Sequence, residues 1–464
     1  MPEYLPRDPK WKDPAHIQFE EEPSAQFVLF TNARVYDGRS DLLSEPQEVL
    51  IHKNLIRKVG KLVPVPQDVK LIKVDCGGKT LMPGLIDMHS HICIQDGMKE
   101  GRDSYDQMAM GAMCAHDLLD YLQQGFTTCR DAGGNILGIA KAVQKGRIPG
   151  PRIYPSGAFI TQTGGPGDTG CCFDQPGDMD YLEKNGFAHV CDGRAEVLKA
   201  CRNNIRNGAT QLKIMASGSV LGPYNNFYAT HFTLDEMKTA VEVASDYGTY
   251  VMAHAYHDKA INRAIDAGVR CIEHGYLMGE ETMRRMVEEN IALSVQATLA
   301  LEAFGDPDAL LELDNNQKTK AALVFSGAKK MLDLVHKYKP LTIAGGELFG
   351  RGNSSRQADN IIHMVSMGGF THAEALRAAT SSAATVLSWT GTLNPYTEGT
   401  LGVIEEGAYA DILVVNGNPL EDIYALKRSN IELVMKDGKC HKFNLKEGAL
   451  QVVTFRVGGA GKAK

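Results

Sequence analysis

The chain has ten cysteines but no C-x-x-C spacing among them. That excludes a zinc ribbon and a thioredoxin-type redox motif, and most of the cysteines read as reduced, buried small hydrophobes. Cys171 and Cys172 stand apart because they lie in a Gly-rich loop, QTGGPGDTGCCFD, where a substrate could also reach them. No stretch of about eighteen apolar residues occurs, so no membrane-spanning helix is expected, and the opening MPEYLPRDPKWKDP has no apolar signal core, which points to a cytoplasmic protein. Basic runs are missing too: the formal charge is -7, and without a Lys/Arg stripe neither nucleic acid nor an anionic membrane is an expected partner. There is no repeat of solenoid period and no low-complexity tract. What remains is a chain of 464 residues, 43% hydrophobic and 23% charged, which is ordinary for a globular protein that works on small molecules.

Short apolar runs alternate with helical patterns, the signature of β-α units around a parallel sheet. Eight such runs can be counted, at 84–92, 125–131, 152–158, 211–216, 249–255, 270–275, 291–298 and 340–346. They predict an α/β fold, a (β/α)8 TIM barrel over 82–385, whose active site would sit at the C-terminal strand ends. Helix signals fall between them. Thr233 precedes Glu236 as in a capping box and the pattern stops at Gly248, while Asp258 to Ala267 reads as a short helix closed by Gly268. The flanks, 26–81 and 386–455, carry short alternating strands with Gly and Asp turns and predict a small β-sandwich domain built from both chain ends. Residues 1–25 read as a polar extension and 456–464 as a tail.

The chemistry gathers at the predicted strand ends. His89 and His91 are one residue apart on strand one, so both imidazoles point the same way and can reach one metal ion. Lys213 falls in strand four, His254 at the end of strand five and His274 at the end of strand six. Each alone has an ordinary alternative, a strand-end lysine or a hydrogen-bonded core histidine. Together they suggest a metal site. A lysine among cation ligands makes sense when carbon dioxide converts its amine to an anionic carbamate, which requires the uncharged amine that burial favours.

The segments LMPGLIDMHSHI, GFTTCRDAGG, IPGPRIYPSGAFI with TQTGG, QLKIMASGSV, VMAHAYHDKAINRAIDAGVRCIEHG and EGAYADILVVNGNPLEDI resemble the amidohydrolase superfamily. The similarity is to its imidazolonepropionase-related branch of Xaa-Pro dipeptidases and ochratoxinase, and it runs from about residue 26 to 455. The resemblance implies a binuclear metal centre, most often zinc, with His89 and His91 on one metal, His254 and His274 on the other, and carboxylated Lys213 between them. It implies hydrolysis of an amide or peptide-like C–N bond by a metal-bound hydroxide, and places Arg130 and Tyr256 against the substrate. The implied partner is a small-molecule or peptide-like substrate, with a homo-oligomer left open.

Two departures from that pattern matter. Where the branch reads I-A-x-G-T-D this chain has Ile343-Ala344-Gly345-Gly346-Glu347-Leu348, so Leu348 stands at the usual catalytic Asp. Where it reads T-G-G-H-G-D, Pro166 replaces the histidine. Three readings follow. In the first, Glu347 swings in as acid/base, although strand alternation favours its pointing away. In the second, the protein is a metal-dependent lyase, a decarboxylase or dehydratase, with His257 or Tyr256 moving the proton. In the third it is a catalytically silent metal-binding protein. The segment GPYNNFYATHF, 222–232, reads as an aromatic pocket wall.

Overall fold

The computed structural model describes residues 26–67, 69–95, 106–171, 173–175, 177–222, 226–306, 313–350 and 353–454. The expected extension and tail, Cys172 and residues 223–225 of the aromatic segment lie outside them. The chain divides into two compact units.

One unit gathers the described residues up to Leu85, Leu122–Thr127 and those from Tyr396 onward. Its strands are β1 (Gln26–Val35), β2 (Pro46–His52), β3 (Leu55–Gly60), β4 (Lys70–Asp75) and β5 (Thr80–Pro83) from the N-terminal flank. The second unit supplies β6 to β15, given below, and the C-terminal flank adds β16 (Ile412–Val415), β17 (Ile431–Lys436), β18 (Lys439–Phe443) and β19 (Leu450–Thr454). Both flanks do enter one structure, through β5 against β16 and β4 against β19. Their hydrogen bonds make a single branched sheet of nine strands. The branch point is β1. Its residues Gln26–Thr31 pair with β4 and Arg34–Val35 with β5, and the change of partner falls at a register shift where Asn32 takes a left-handed φ of 52°. Alternation along β1 then serves two cores: Val28 and Phe30 pack with Ile51, Leu81, Ile412 and Val414, while Leu29 packs with Leu50, Val63 and Leu71.

The second unit holds β6 (Leu85–Ser90) and β7 (Phe126–Asp131) apart from their opening residues, with β8 (Arg152–Pro155), β9 (Phe159–Thr161), β10 (Ala188–Val190), β11 (Leu212–Met215), β12 (Val251–His257), β13 (Cys271–Leu277), β14 (Ala292–Val295) and β15 (Thr342–Ala344). All eight expected runs form strands; β9 and β10 are additional. The strands are almost wholly buried, as parallel strands covered on both faces must be. Their ladders form two sheets, β6-β7-β8 and β10-β9-β11-β12-β13-β14-β15, in place of one continuous eight-stranded ladder. The break that follows β8 has a local cause: Gly157, at φ 74°, lies between β8 and β9, and the two strands join different sheets. Single backbone bonds span the gaps, Thr210 N–H to Pro155 O at 2.8 Å and Glu347 N–H to His89 O at 2.7 Å.

The helix signals are realised. Thr233 and Glu236 form a reciprocal capping box, and helix Asp258–Ala267 ends at Gly268 with φ 97°. This unit extends through Pro395, past the expected boundary at 386. The reason is packing: Trp389 meets the Tyr250 ring edge-on at 5.9 Å and lies under the Arg270 guanidinium at 4.2 Å. No helix among the described residues is long and apolar enough to cross a membrane.

Gly111 lies inside helix Gln107–Gln123 with nothing within 4 Å of an added Cβ. Gly111→Ala is therefore expected to raise the unfolding free energy by about 0.5–1 kcal/mol, read as a higher urea midpoint; a lower midpoint would contradict the helix placement.

Candidate metal centre

Four strands bring the five candidate ligands together. His89 closes β6 with His91 just beyond it, Lys213 sits in β11, His254 in β12 and His274 in β13. Parallel register sets Met215 beside His254 and Ala255 beside His274. All five side chains are buried. The His89 and His91 ring centroids are 5.0 Å apart, those of His89 and His274 5.2 Å, and those of His254 and His274 4.6 Å.

The partners of each ring fix where its lone pair points. His89 Nδ1 lies 2.6 Å from the Glu273 carboxylate and His91 Nδ1 lies 2.9 Å from the Gly133 carbonyl. An ionised carboxylate and a carbonyl only accept, so both Nδ1 atoms carry the proton. The two bare Nε2 atoms then face each other at 3.2 Å, an arrangement that repels unless a cation lies at the pair. His274 Nδ1 meets Gln296 Oε1 at 3.1 Å, while its Nε2 is buried without a hydrogen-bond partner. His254 turns Nε2 to the Gly218 carbonyl at 3.1 Å, which leaves Nδ1 as its free donor atom.

Burial is the largest influence on these groups, and the Lys213 charge acts with it. Together they push His91 and His254 down to about 3 and His89 well below the usual imidazole value; burial, His254 and His89 do the same to His274. The imidazoles are neutral and can ligate. Burial likewise lowers the Lys213 amine. Asp87 is raised by burial to about 6 and Asp131 to about 7.

Strand alternation misplaces Glu347, which turns into the cluster. Its carboxylate lies 3.4 Å from His274 Nδ1 and 3.7 Å from His89 Nε2, and one oxygen is buried without a hydrogen-bond partner. Burial raises it to about 8, with Lys213 opposing. The turn that carries it is left-handed, with Glu347 at φ 51°, a conformation that costs energy in a non-glycine residue and breaks the two-residue period. Several bonds hold this turn. Gly346 N–H donates to Asp87 Oδ1 at 2.8 Å, and the Gln357 amide donates to the Leu348 carbonyl at 2.7 Å. Leu348 itself is buried. His274 is left-handed as well, at φ 78°, so the adjacent Glu273 and His274 both contact the cluster from one strand.

Two expected roles need correction. Arg130 is buried in the wall and does not face a substrate: its guanidinium donates to Glu273 at 2.6 Å, to the Met88 carbonyl at 2.7 Å and to the Tyr250 hydroxyl at 3.2 Å. His257 is not an acid/base candidate at the cluster; it is the N-cap of helix Asp258–Ala267 and accepts from Ala260 N–H. Tyr256 does line the cavity, with its ring 4.6 Å from His254 and 5.4 Å from His274. Of the described cysteines only Cys171 is exposed. Glu273, Asp87 and Gln296 were not singled out in the sequence, although each lies within a run that was.

A partly open cavity adjoins the cluster, about 600 Å³ with its solvent-filled mouth included. His91, Lys213, His254, His274, Glu347 and Tyr256 supply its polar side, and aromatic side chains such as Phe159 and Phe349 its apolar side. Pro166 lines it where relatives were expected to carry histidine. The donor set suits a divalent cation: neutral imidazoles with lone pairs directed inward, a buried carboxylate oxygen lacking a partner, and ligand atoms of His89, His274 and Glu347 within 4.8 Å of one another.

The amidohydrolase family model matches residues 80–440. The chain belongs to the amidohydrolase family. Ochratoxinase from Aspergillus niger is 32% identical over 378 residues, 78% of this chain and 75% of the ochratoxinase. A prolidase solved with N-methylphosphonate-L-proline is 32% identical with a TM-score of 0.81, covering 90% of this chain and 100% of that one. A Xaa-Pro dipeptidase with methionine in its active site is 26% identical with a TM-score of 0.78, over 90% and 100% of the two chains. Within the amidohydrolases the protein is a hydrolase of the ochratoxinase-like branch.

The close fit between the strand-eight turn and strand one gives a test. A Cβ at Gly345 would lie 2.5 Å from His89 Cβ and 2.7 Å from Ser294 Oγ. Gly345→Ala should cost about 1–3 kcal/mol of stability in urea unfolding, and an unchanged midpoint would show that the turn has slack.

Proposed function

We propose that this amidohydrolase is a metal-dependent hydrolase of amide or peptide-like C–N bonds, with Glu347 as the acid/base that Leu348 cannot be. The observation that carries the reading is the Glu347 carboxylate beside His89 and His274. His89, His91, His254 and His274 would hold one or two divalent ions, zinc by preference, with Lys213 as a carbamate between them, in a barrel closed through the bonds at Pro155 and His89. Ochratoxinase, prolidase and Xaa-Pro dipeptidase among the relatives support a small, peptide-like substrate.

A divalent cation bound there supplies Lewis acidity to the scissile carbonyl and lowers the pKa of water. The remaining chemistry belongs to the chain. Glu347 accepts a proton from water as its oxygen adds to the acyl carbon, then returns it to the leaving nitrogen as the C–N bond breaks, so that one water is consumed and a carboxylic acid and an amine are released, the acid then passing its proton to the amine or to solvent. Partly buried Glu347 is well placed to do both, because desolvation raises its carboxyl and so helps it hold the proton between the two steps. Tyr256, on the cavity wall, orients the substrate, and the aromatic walls exclude bulk water from it.

Glu347→Gln should cut kcat by about 10²–10⁴-fold while the four histidines keep most of the bound metal, measured by elemental analysis; retained turnover would sink the assignment. Reaction in heavy-oxygen water with an N-acyl amino acid or dipeptide as substrate should place label in the product carboxylate. Unlabelled product would point to lyase chemistry instead.

A further inference from the structure

A pair of buried charges next to the cluster takes no part in the chemistry above. Glu273 turns one carboxylate oxygen to His89 Nδ1 at 2.6 Å and the other to Arg130 Nη2 at 2.6 Å, and that second oxygen also accepts from the Cys271 thiol at 3.1 Å. Arg130 in turn donates through Nε to the carbonyl of Met88, the residue before His89, at 2.7 Å. Strand one is thus gripped twice, by its backbone through Arg130 and by its imidazole through Glu273. Arg130, Glu273 and His89 have essentially no exposed surface.

Such a pair is poorly explained by stability. Desolvating two charges costs about what their attraction returns, and well-packed apolar residues of similar volume often serve as well. Its geometry does have a specific effect. The Gln296 amide nitrogen also approaches His89 Nδ1, at 3.3 Å, and a donor there would favour the opposite tautomer, with the proton on Nε2. An anion at 2.6 Å settles the competition, because it can only accept.

We propose that Glu273 and Arg130 are a positioning pair that locks His89 with its proton on Nδ1 and its Nε2 lone pair turned toward His91, and that this lock sets the affinity of the site for its metal. The inference rests on the metal-centre reading given above. Partners of this kind commonly change metal affinity by about 10–100-fold when removed.

The test titrates full-length, metal-free protein with zinc against a chromophoric chelator and records a thermal melt for each variant. In Glu273→Gln the anion is lost; the double variant Arg130→Met with Glu273→Met removes both charges at similar volume, so that no unpaired ion is left to unfold the protein. Glu273→Asp keeps the anion. The expected result is a 10–100-fold loss of zinc affinity in the first two, a smaller loss in Glu273→Asp, and a double variant that still melts cooperatively. A double variant that melts normally and binds zinc with parental affinity overturns the proposal, because the pair would then be packing alone. Parental protein that binds no zinc overturns it too, and is distinguishable because the metal-centre reading then fails at the same time.

Discussion

The Asp87 carboxylate joins the two chain segments on which the site depends. Its Oδ1 accepts from the backbone N–H of His89 at 3.0 Å and of Gly346 at 2.8 Å, and its Oδ2 accepts from the Tyr121 hydroxyl at 3.1 Å. The first bond fixes the strand that presents His89 and His91; the second fixes the turn that presents Glu347. Without this shared acceptor, two buried amide donors would be left unsatisfied, at a cost of about 1–3 kcal/mol each, and the left-handed turn at Glu347 would lose a main constraint. The acid is raised to about 6 by burial, with these three donors and Arg130 pulling the other way.

Around this clamp the electrostatics follow one pattern: groups that would donate electron pairs are kept neutral, and charge is retained only where it is paired. Burial keeps the four imidazoles neutral and lowers the Lys213 amine. Glu273 keeps its charge because Arg130 is beside it. Glu347, without such a partner, is raised. Neutral nitrogen donors, one partnerless carboxylate oxygen and a cavity walled partly by aromatics describe a site suited to polarising a carbonyl away from bulk water.

Much of this was legible in the chain because it depends on short-range periodicity. His89-x-His91 shares a face by alternation, His254 and His274 fall at the ends of apolar runs, and Gly248 and Gly268 stop helices where their positive φ values, 68° and 97°, require. The roles of Arg130 and His257 were not legible. A guanidinium at a strand end looks the same in sequence whether it faces substrate or is consumed by a buried glutamate, and an imidazole at a strand-to-helix junction can be acid, base or cap. Glu273 was overlooked for a related reason. Next to His274 on a regular strand it would face the opposite way, and only the left-handed residue at His274 brings both to the cluster.

The sequence by itself determined the family, the order and location of the eight core strands and the identity of the histidine and lysine cluster, since each is written in motifs shorter than one β-α unit. Tertiary structure alone decided which acid faces that cluster, because the answer turns on φ at Glu347 and on one hydrogen bond accepted by Asp87 and one donated by Gln357, residues 260 positions before it in one case and ten after it in the other. It also decided how the flanking strands join. Partner choice along β1 changes at Asn32, and which strands lie on either side of that change depends on long-range pairing that no local pattern encodes.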